Sequence, residues 1–112
     1  MLNQIVLVGR LKEIIEAPLH EAGKIEVKII LEVSKNLEAN VSTNKDSDFI
    51  ECILRDKIAT GVTGNISIGD LVGIKGRLES ESIEFGGQNY YLSKVVVEKV
   101  TYLGAKKPIE DL

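Results

Sequence analysis

The run Gly69-Asp70-Leu71-Val72-Gly73-Ile74-Lys75-Gly76-Arg77-Leu78 limits what this chain can become more than any other stretch. Gly69-Asp70 is a turn pair, because glycine supplies a positive φ and aspartate bonds its own backbone. From there a strand is expected, with Leu71, Gly73, Lys75 and Arg77 on one side and Val72, Ile74, Gly76 and Leu78 on the other. Glycine inside a strand marks a bulge, a barrel corner or a close backbone approach. Gly73 and Gly76 therefore point to a strand that bends hard, as a small closed barrel requires; the alternative is an ordinary edge strand with two weak spots.

A chain of 112 residues holds one domain with one core, and 44% hydrophobic residues suffice to build it. Isoleucine and valine dominate the apolar set, which favours strands. A net charge of −3 excludes a binder driven by bulk positive charge and leaves room only for a local basic groove. Cys52 is the single cysteine, so neither an internal disulfide nor a cysteine zinc site is expected, in keeping with a reducing compartment. No apolar run reaches the length of a membrane span, and no cleavage site follows the short apolar start; a cytoplasmic protein is expected.

Taken in order, Gln4–Leu11 reads as a buried first strand with Gly9 a candidate bulge, and Glu13–Lys24 as a loop carrying Pro18, with room for a short extended edge. Ile25–Lys35 alternates cleanly, with Ile25, Val27, Ile29, Leu31 and Val33 facing inward. Asn36–Ser47 is polar and reads as an exposed hairpin loop. In the third strand, Asp48–Arg55, Ile50, Cys52 and Leu54 form one face while Phe49, Glu51, Ile53 and Arg55 form the other. Lys57-Ile58-Ala59-Thr60 starts a short helix that Gly61 and Gly64 weaken, each glycine costing about 1 kcal/mol against alanine. Glu79–Gln88 is a polar hairpin with Gly86-Gly87 at its tip, and Tyr90–Leu103 is the fifth strand around Val95, Val96, Val97 and Val100. The connections are too short for helical crossovers. The expected fold class is all-β: a five-stranded antiparallel barrel with a short helix between strands three and four, spanning residues 1–104, then a short tail at 105–112.

That order is the oligonucleotide/oligosaccharide-binding (OB) fold. The opening Leu2-Asn3-Gln4-Ile5-Val6-Leu7-Val8-Gly9-Arg10-Leu11 resembles the start of the bacterial single-stranded DNA-binding protein family. So do Asp48-Phe49-Ile50-Glu51-Cys52-Ile53-Leu54, Lys57-Ile58-Ala59, the Gly69–Leu78 run and Val95-Val96-Val97, in order and spacing. The resemblance implies a non-enzymatic, cytosolic homo-oligomer, tetramer or dimer, that coats single-stranded DNA in replication, recombination and repair. It implies stacking of bases on aromatic rings, with lysine and arginine following the phosphates.

The chain departs from that pattern. Of four recurrent aromatic positions on the family's binding face only Phe49 is kept; the others are Leu37, Arg55 and Ile83, with Phe85 a substitute two residues from the last. Stacking is worth about 1–3 kcal/mol per base, so reduced affinity is expected. Glu51 occupies a DNA-facing position, and Glu79, Glu81 and Glu84 crowd the last hairpin. The family's acidic tail, which closes on proline and an aromatic, is replaced by Pro108-Ile109-Glu110-Asp111-Leu112, and tail-mediated recruitment is not expected.

The expected nucleic-acid-binding residues are Phe49 and Phe85 for stacking, and Arg10, Lys35, Arg55, Lys57, Lys75 and Arg77 for phosphates, with Lys12 on the same basic track. Each has a plainer reading. Phe49 can pack on a subunit or loop, and Arg10 can pair with a carboxylate. Arg55, Lys75 and Arg77 can be solvated strand charges. Of Tyr90 and Tyr91, on opposite faces, one is expected in the core. His20 stands alone, without a metal-ligating partner, and Cys52 reads as a buried small hydrophobe. There is no nucleophile–base pairing and no Walker motif, so no enzyme activity, metal or cofactor is expected. The alternative function is an OB-fold module that has lost nucleic-acid binding and gained a protein partner.

Overall fold

The computed structural model describes residues 1–16, 25–35 and 46–105. The expected loop around Pro18 and His20, the loop at 36–45 with Leu37, and the tail from 106 lie outside these residues. The elements are β1 (Ile5–Glu16), β2 (Glu26–Ser34), β3 (Ser47–Arg55), α1 (Asp56–Val62), β4 (Leu71–Phe85) and β5 (Gln88–Gly104). They close into a barrel in the order β1-β2-β3-β5-β4. Ladders are antiparallel except at one seam, where β3 meets β5 in parallel through Cys52↔Val95 and Ile53↔Val96. No helix among the described residues is long and apolar enough to cross a membrane.

β2 keeps the predicted alternation. Val27, Ile29 and Leu31 are buried, while Glu26, Lys28, Ile30 and Glu32 line the outside. They meet Leu11, Cys52, Leu54, Val72, Ile74, Val95 and Val97 in one core. Removing each such apolar side chain from water contributes about 1.5–3 kcal/mol. α1 packs on β2, β3 and β5 with Ala59 and Val62 inward. It is short, as its glycines require, and Thr63 Oγ1 donates to the Ala59 carbonyl at 2.9 Å where the helix ends.

The Gly69-Asp70 turn is built as its residues dictate. Gly69 has φ 97°, and Asp70 Oδ2 accepts from the Ser67 N–H at 2.8 Å. The pair is also tied to β1, since Gly69 N–H donates to the Leu11 carbonyl and Leu11 N–H to that of Asp70. At the far hairpin Gly86 and Gly87 have φ 60° and 78°, the two successive positive values that a type I′ turn needs.

Four local expectations are corrected. β1 does not stop at Leu11 but runs on to Glu16, and its bulge is at Lys12, between Leu11↔Leu31 and Glu13↔Ile30, not at Gly9. The extra residue shifts the inward set from Leu11 to Ile14, so Glu13 stays outside. Gly9 instead lies where β1 crosses β2, and a Cβ there would collide with the Glu32 carbonyl. On β4 the alternation ends after Gly76, leaving Leu78 exposed. Gly73 and Gly76 also differ in kind: a Cβ on Gly76 would run into the Val96 carbonyl, whereas one on Gly73 would sit in ordinary contact, 3.5 Å from Leu103 Cδ1. Finally, Ile53 is outward by parity yet buried, because it lies beside Val96 at the parallel seam.

This contrast is testable by urea unfolding. Gly76→Ala should cost about 1–3 kcal/mol, as overpacking does. Gly73→Ala, which has room, should stay within about 0.5 kcal/mol of the parent.

Candidate nucleic-acid interface

The outer face of β2 and β3 carries most of the expected site. Register places Arg10, Glu32 and Phe49 in one row across β1, β2 and β3. Phe49 is 53% exposed, so its ring is open to solvent. The bulge on β1 aims Lys12 across the row, and its Nζ lies 5.9 Å from the ring centroid of Phe49. A cation over an exposed ring is a platform that offers a π-face and a positive charge to one ligand.

Further along the same face the charges are paired. Lys28 meets Glu51 at 3.5 Å, so the carboxylate expected to repel phosphate already has a cation beside it. Arg55 is held by Glu26 at 3.8 Å and by Glu79, whose two oxygens take Arg55 Nη1 and Nη2 at 3.4 and 3.5 Å. Arg77 donates to the same Glu79 carboxylate and, at 3.1 Å, to Glu98. Glu26, Arg55, Glu79, Arg77 and Glu98 thus form an alternating row over four strands. Glu98 is placed there by a bulge in β5, where Lys75↔Lys99 is followed by Gly76↔Val97. The Arg77 hydrogen bond holds the Glu79 carboxyl below its ordinary range, and the bonds to Glu98 and Glu79 raise Arg77.

The other expected cations divide into bound and free. Arg10 Nη1 donates to the Gly69 carbonyl at 3.2 Å, and Lys35 pairs with Asp48 at 3.5 Å. Lys57, in the first turn of α1, and Lys75, laddered between Val6 and Lys99, are exposed and without an ion pair among the described residues.

The β4–β5 hairpin runs past the barrel and gives the molecule its 53 Å long axis. Beyond the barrel it has no core to bury its residues in. Both Tyr90 and Tyr91 are therefore exposed, at 46% and 71%, which corrects the expectation that one lies inside. Register puts Ile83 beside Tyr90, Glu81 beside Leu92 and Phe85 beside Gln88, on the same side as Arg77 and Glu79. Phe85 is thus exposed on the expected face, and Tyr90 joins it there. The missed signal was hairpin length: alternation either side of Gly86-Gly87 continues for a whole extra arm.

Among the described residues no group of His, Cys, Asp and Glu could hold a metal ion, and His20 lies outside them. Burial, and secondarily Glu51, push the Cys52 thiol up to about 11. In native protein at about pH 8, Cys52 should therefore resist a disulfide reagent, and labelling should become fast only in urea. Rapid native labelling would contradict its burial.

The comparisons agree on one family. The model of the single-strand binding protein family matches residues 2–103. Single-stranded DNA-binding protein 3 of Listeria innocua is 32% identical over 108 residues, 96% of this chain and 67% of the relative. Single-stranded DNA-binding protein 1 of Staphylococcus aureus is 33% identical over 107 residues, 95% of this chain but only 64% of the relative. Single-stranded DNA-binding protein B of Bacillus subtilis is 31% identical over 107 residues, with 95% and 94% covered. In fold, the small single-stranded DNA-binding protein of Streptomyces coelicolor matches with a TM-score of 0.67 at 22% identity, over 91% of this chain and 95% of that one.

Proposed function

This chain belongs to the single-strand binding protein family, and we propose that it binds single-stranded DNA without catalysis, as a cytoplasmic coat in replication, recombination or repair. The observation that carries this is the exposed Phe49 ring under Lys12 on the outer face of β2 and β3. Bases stack on Phe49 and, at the hairpin, on Phe85 and Tyr90. Lys57 and Lys75 meet phosphates directly, while Lys35, Arg10, Arg55 and Arg77 must first exchange a partner within the protein. Stacking requires unpaired bases, whose faces a duplex hides, so the same surface discriminates against double strands.

Binding as a homo-oligomer, dimer or tetramer, is part of the proposal. Among the described residues the ladder partners of Ile5–Val8 all lie on β4, which leaves the other edge of that half-strand for another chain. Val6 and Val8 are 65% and 51% exposed on its outer side. Val6→Lys should shift the sedimenting species toward monomer, and a wild-type monomer at high concentration would refute this arrangement.

The binding itself is tested by titrating a fluorescent oligo-dT at low salt. Association should weaken as salt rises, by about 0.7 in log K per log salt for each phosphate neutralised. Phe49→Ala should weaken it by about 1–3 kcal/mol. Absence of binding at tens of micromolar protein would overturn the proposal.

A further inference from the structure

We propose that Glu79 is a specificity-determining residue: it is an internal anion that occupies the phosphate seat between Arg55 and Arg77, and a polynucleotide binds there only by displacing it. The inference rests on the single-strand-binding reading above and deepens it.

The geometry is that of a phosphate clamp already filled. Two guanidinium groups converge on one carboxylate, Arg55 with both terminal nitrogens at 3.4 and 3.5 Å and Arg77 through Nη2. Arginine forks match carboxylate and phosphate oxygens alike, so the seat that takes Glu79 takes a phosphodiester. Outer carboxylates steady the clamp, Glu26 behind Arg55 and Glu98 behind Arg77. The seat is also reachable, since the side chains of Arg55, Glu79 and Arg77 are 38%, 30% and 40% exposed. Ion pairs this open to water are individually weak, so the carboxylate can be exchanged. Protonation near neutral pH does not vacate the seat, because its arginine partners hold Glu79 as an anion.

Masking selects among polyanions. A polyanion without bases gains a phosphate contact at Arg55 and Arg77 but must break an equivalent contact to do so. A single strand whose bases stack on Phe49 brings additional binding free energy and is already held beside the seat. Glu79 therefore lowers affinity for all polyanions and makes what remains depend on bases.

The test titrates fluorescent oligo-dT, and separately inorganic polyphosphate, against the parent, Glu79→Gln and Glu81→Gln. Glu81 lies on the same hairpin face but among the described residues pairs only with Lys94, so its variant reports the loss of one carboxylate and one lysine pair without opening the two-arginine seat. Glu79→Gln should bind oligo-dT about tenfold more tightly, the scale of the two exposed ion pairs that no longer have to be broken. It should steepen the salt dependence by about 0.7, for the one phosphate that the seat takes. Polyphosphate should gain more than oligo-dT, narrowing the preference for bases, an equal gain for both overturning the specificity role, and Glu81→Gln should change either ligand less than about threefold. Adding Arg55→Gln and Arg77→Gln to Glu79→Gln should erase the gain. Equal effects at Glu79 and Glu81, or no tightening in Glu79→Gln while the parent binds oligo-dT through Phe49, would overturn the masking and leave the binding reading intact. No binding by either parent or Glu79→Gln would overturn both.

Discussion

Closure of this barrel depends on two places where one backbone passes another with no room for a Cβ. At Gly9 the Glu32 carbonyl occupies the space a side chain would need, and at Gly76 the Val96 carbonyl does. The first crossing brings β1 over β2, and the second bends β4 over β5. Strands that stayed a side chain's width apart at these points would splay, and the core that gathers Leu11, Leu31, Leu54 and Ile74 would lie open. Closure in turn fixes the outer surface, because it brings β3 against β5 and sets Arg55 beside the hairpin that carries Glu79 and Arg77.

The bulges that accompany this bending place charges as well as shape. Lys12 is the extra residue of β1 and ends over Phe49; Glu98 is the extra residue of β5 and ends against Arg77. An unpaired residue in a ladder has no cross-strand neighbour to hold its side chain in the row, so it is free to reach sideways. Both of these reach into the candidate interface. The same steric need that curls the sheet thus decides which charges meet there. Since exposed pairs of this kind contribute about 0–1 kcal/mol each to folding, their consequence falls mainly on what the face can bind.

Much of this was legible in the residues themselves. The alternation of β2, the Asp70 turn, the weak helix and the Gly86-Gly87 tip follow from side-chain chemistry within a few residues, and the structure has them. The end of β1 was only partly legible: a short extended edge was allowed after Leu11, but that Glu13-Ile14-Ile15-Glu16 continues the same strand follows only once Lys12 is known to bulge. The burial of Ile53 was hidden for a similar reason: it is set by Val96, a neighbour across a seam that no local pattern announces. Tyr90 and Tyr91 misled because alternation says which sides two residues take but not whether either side has a core. For the interface, the ring and the cations were identifiable by type and position, while their pairing was not. Glu79 is a repelling carboxylate when read along the chain, and becomes a bridge between two arginines only when the register of β3, β4 and β5 is known.

These features bear on how a surface with so few rings can hold a strand. One base stacked on Phe49, as proposed, would contribute about 1–3 kcal/mol, far below what tight binding needs. Phe85 and Tyr90 extend the apolar face, but they stand on a hairpin arm beyond the barrel, where ordering them against a strand costs conformational entropy. Displacing Glu79 returns little net Coulomb energy, since an ion pair is broken for each one made. On the proposed contacts, a single barrel of this composition would therefore bind weakly. In the proposed assembly, a second copy joined at the open half of β1 would turn the next contact into an intramolecular one, at an effective concentration in the millimolar range for closely linked sites. Affinity then grows with the number of barrels on one strand rather than with the quality of each, which suits a protein that must hold a long strand and also release it.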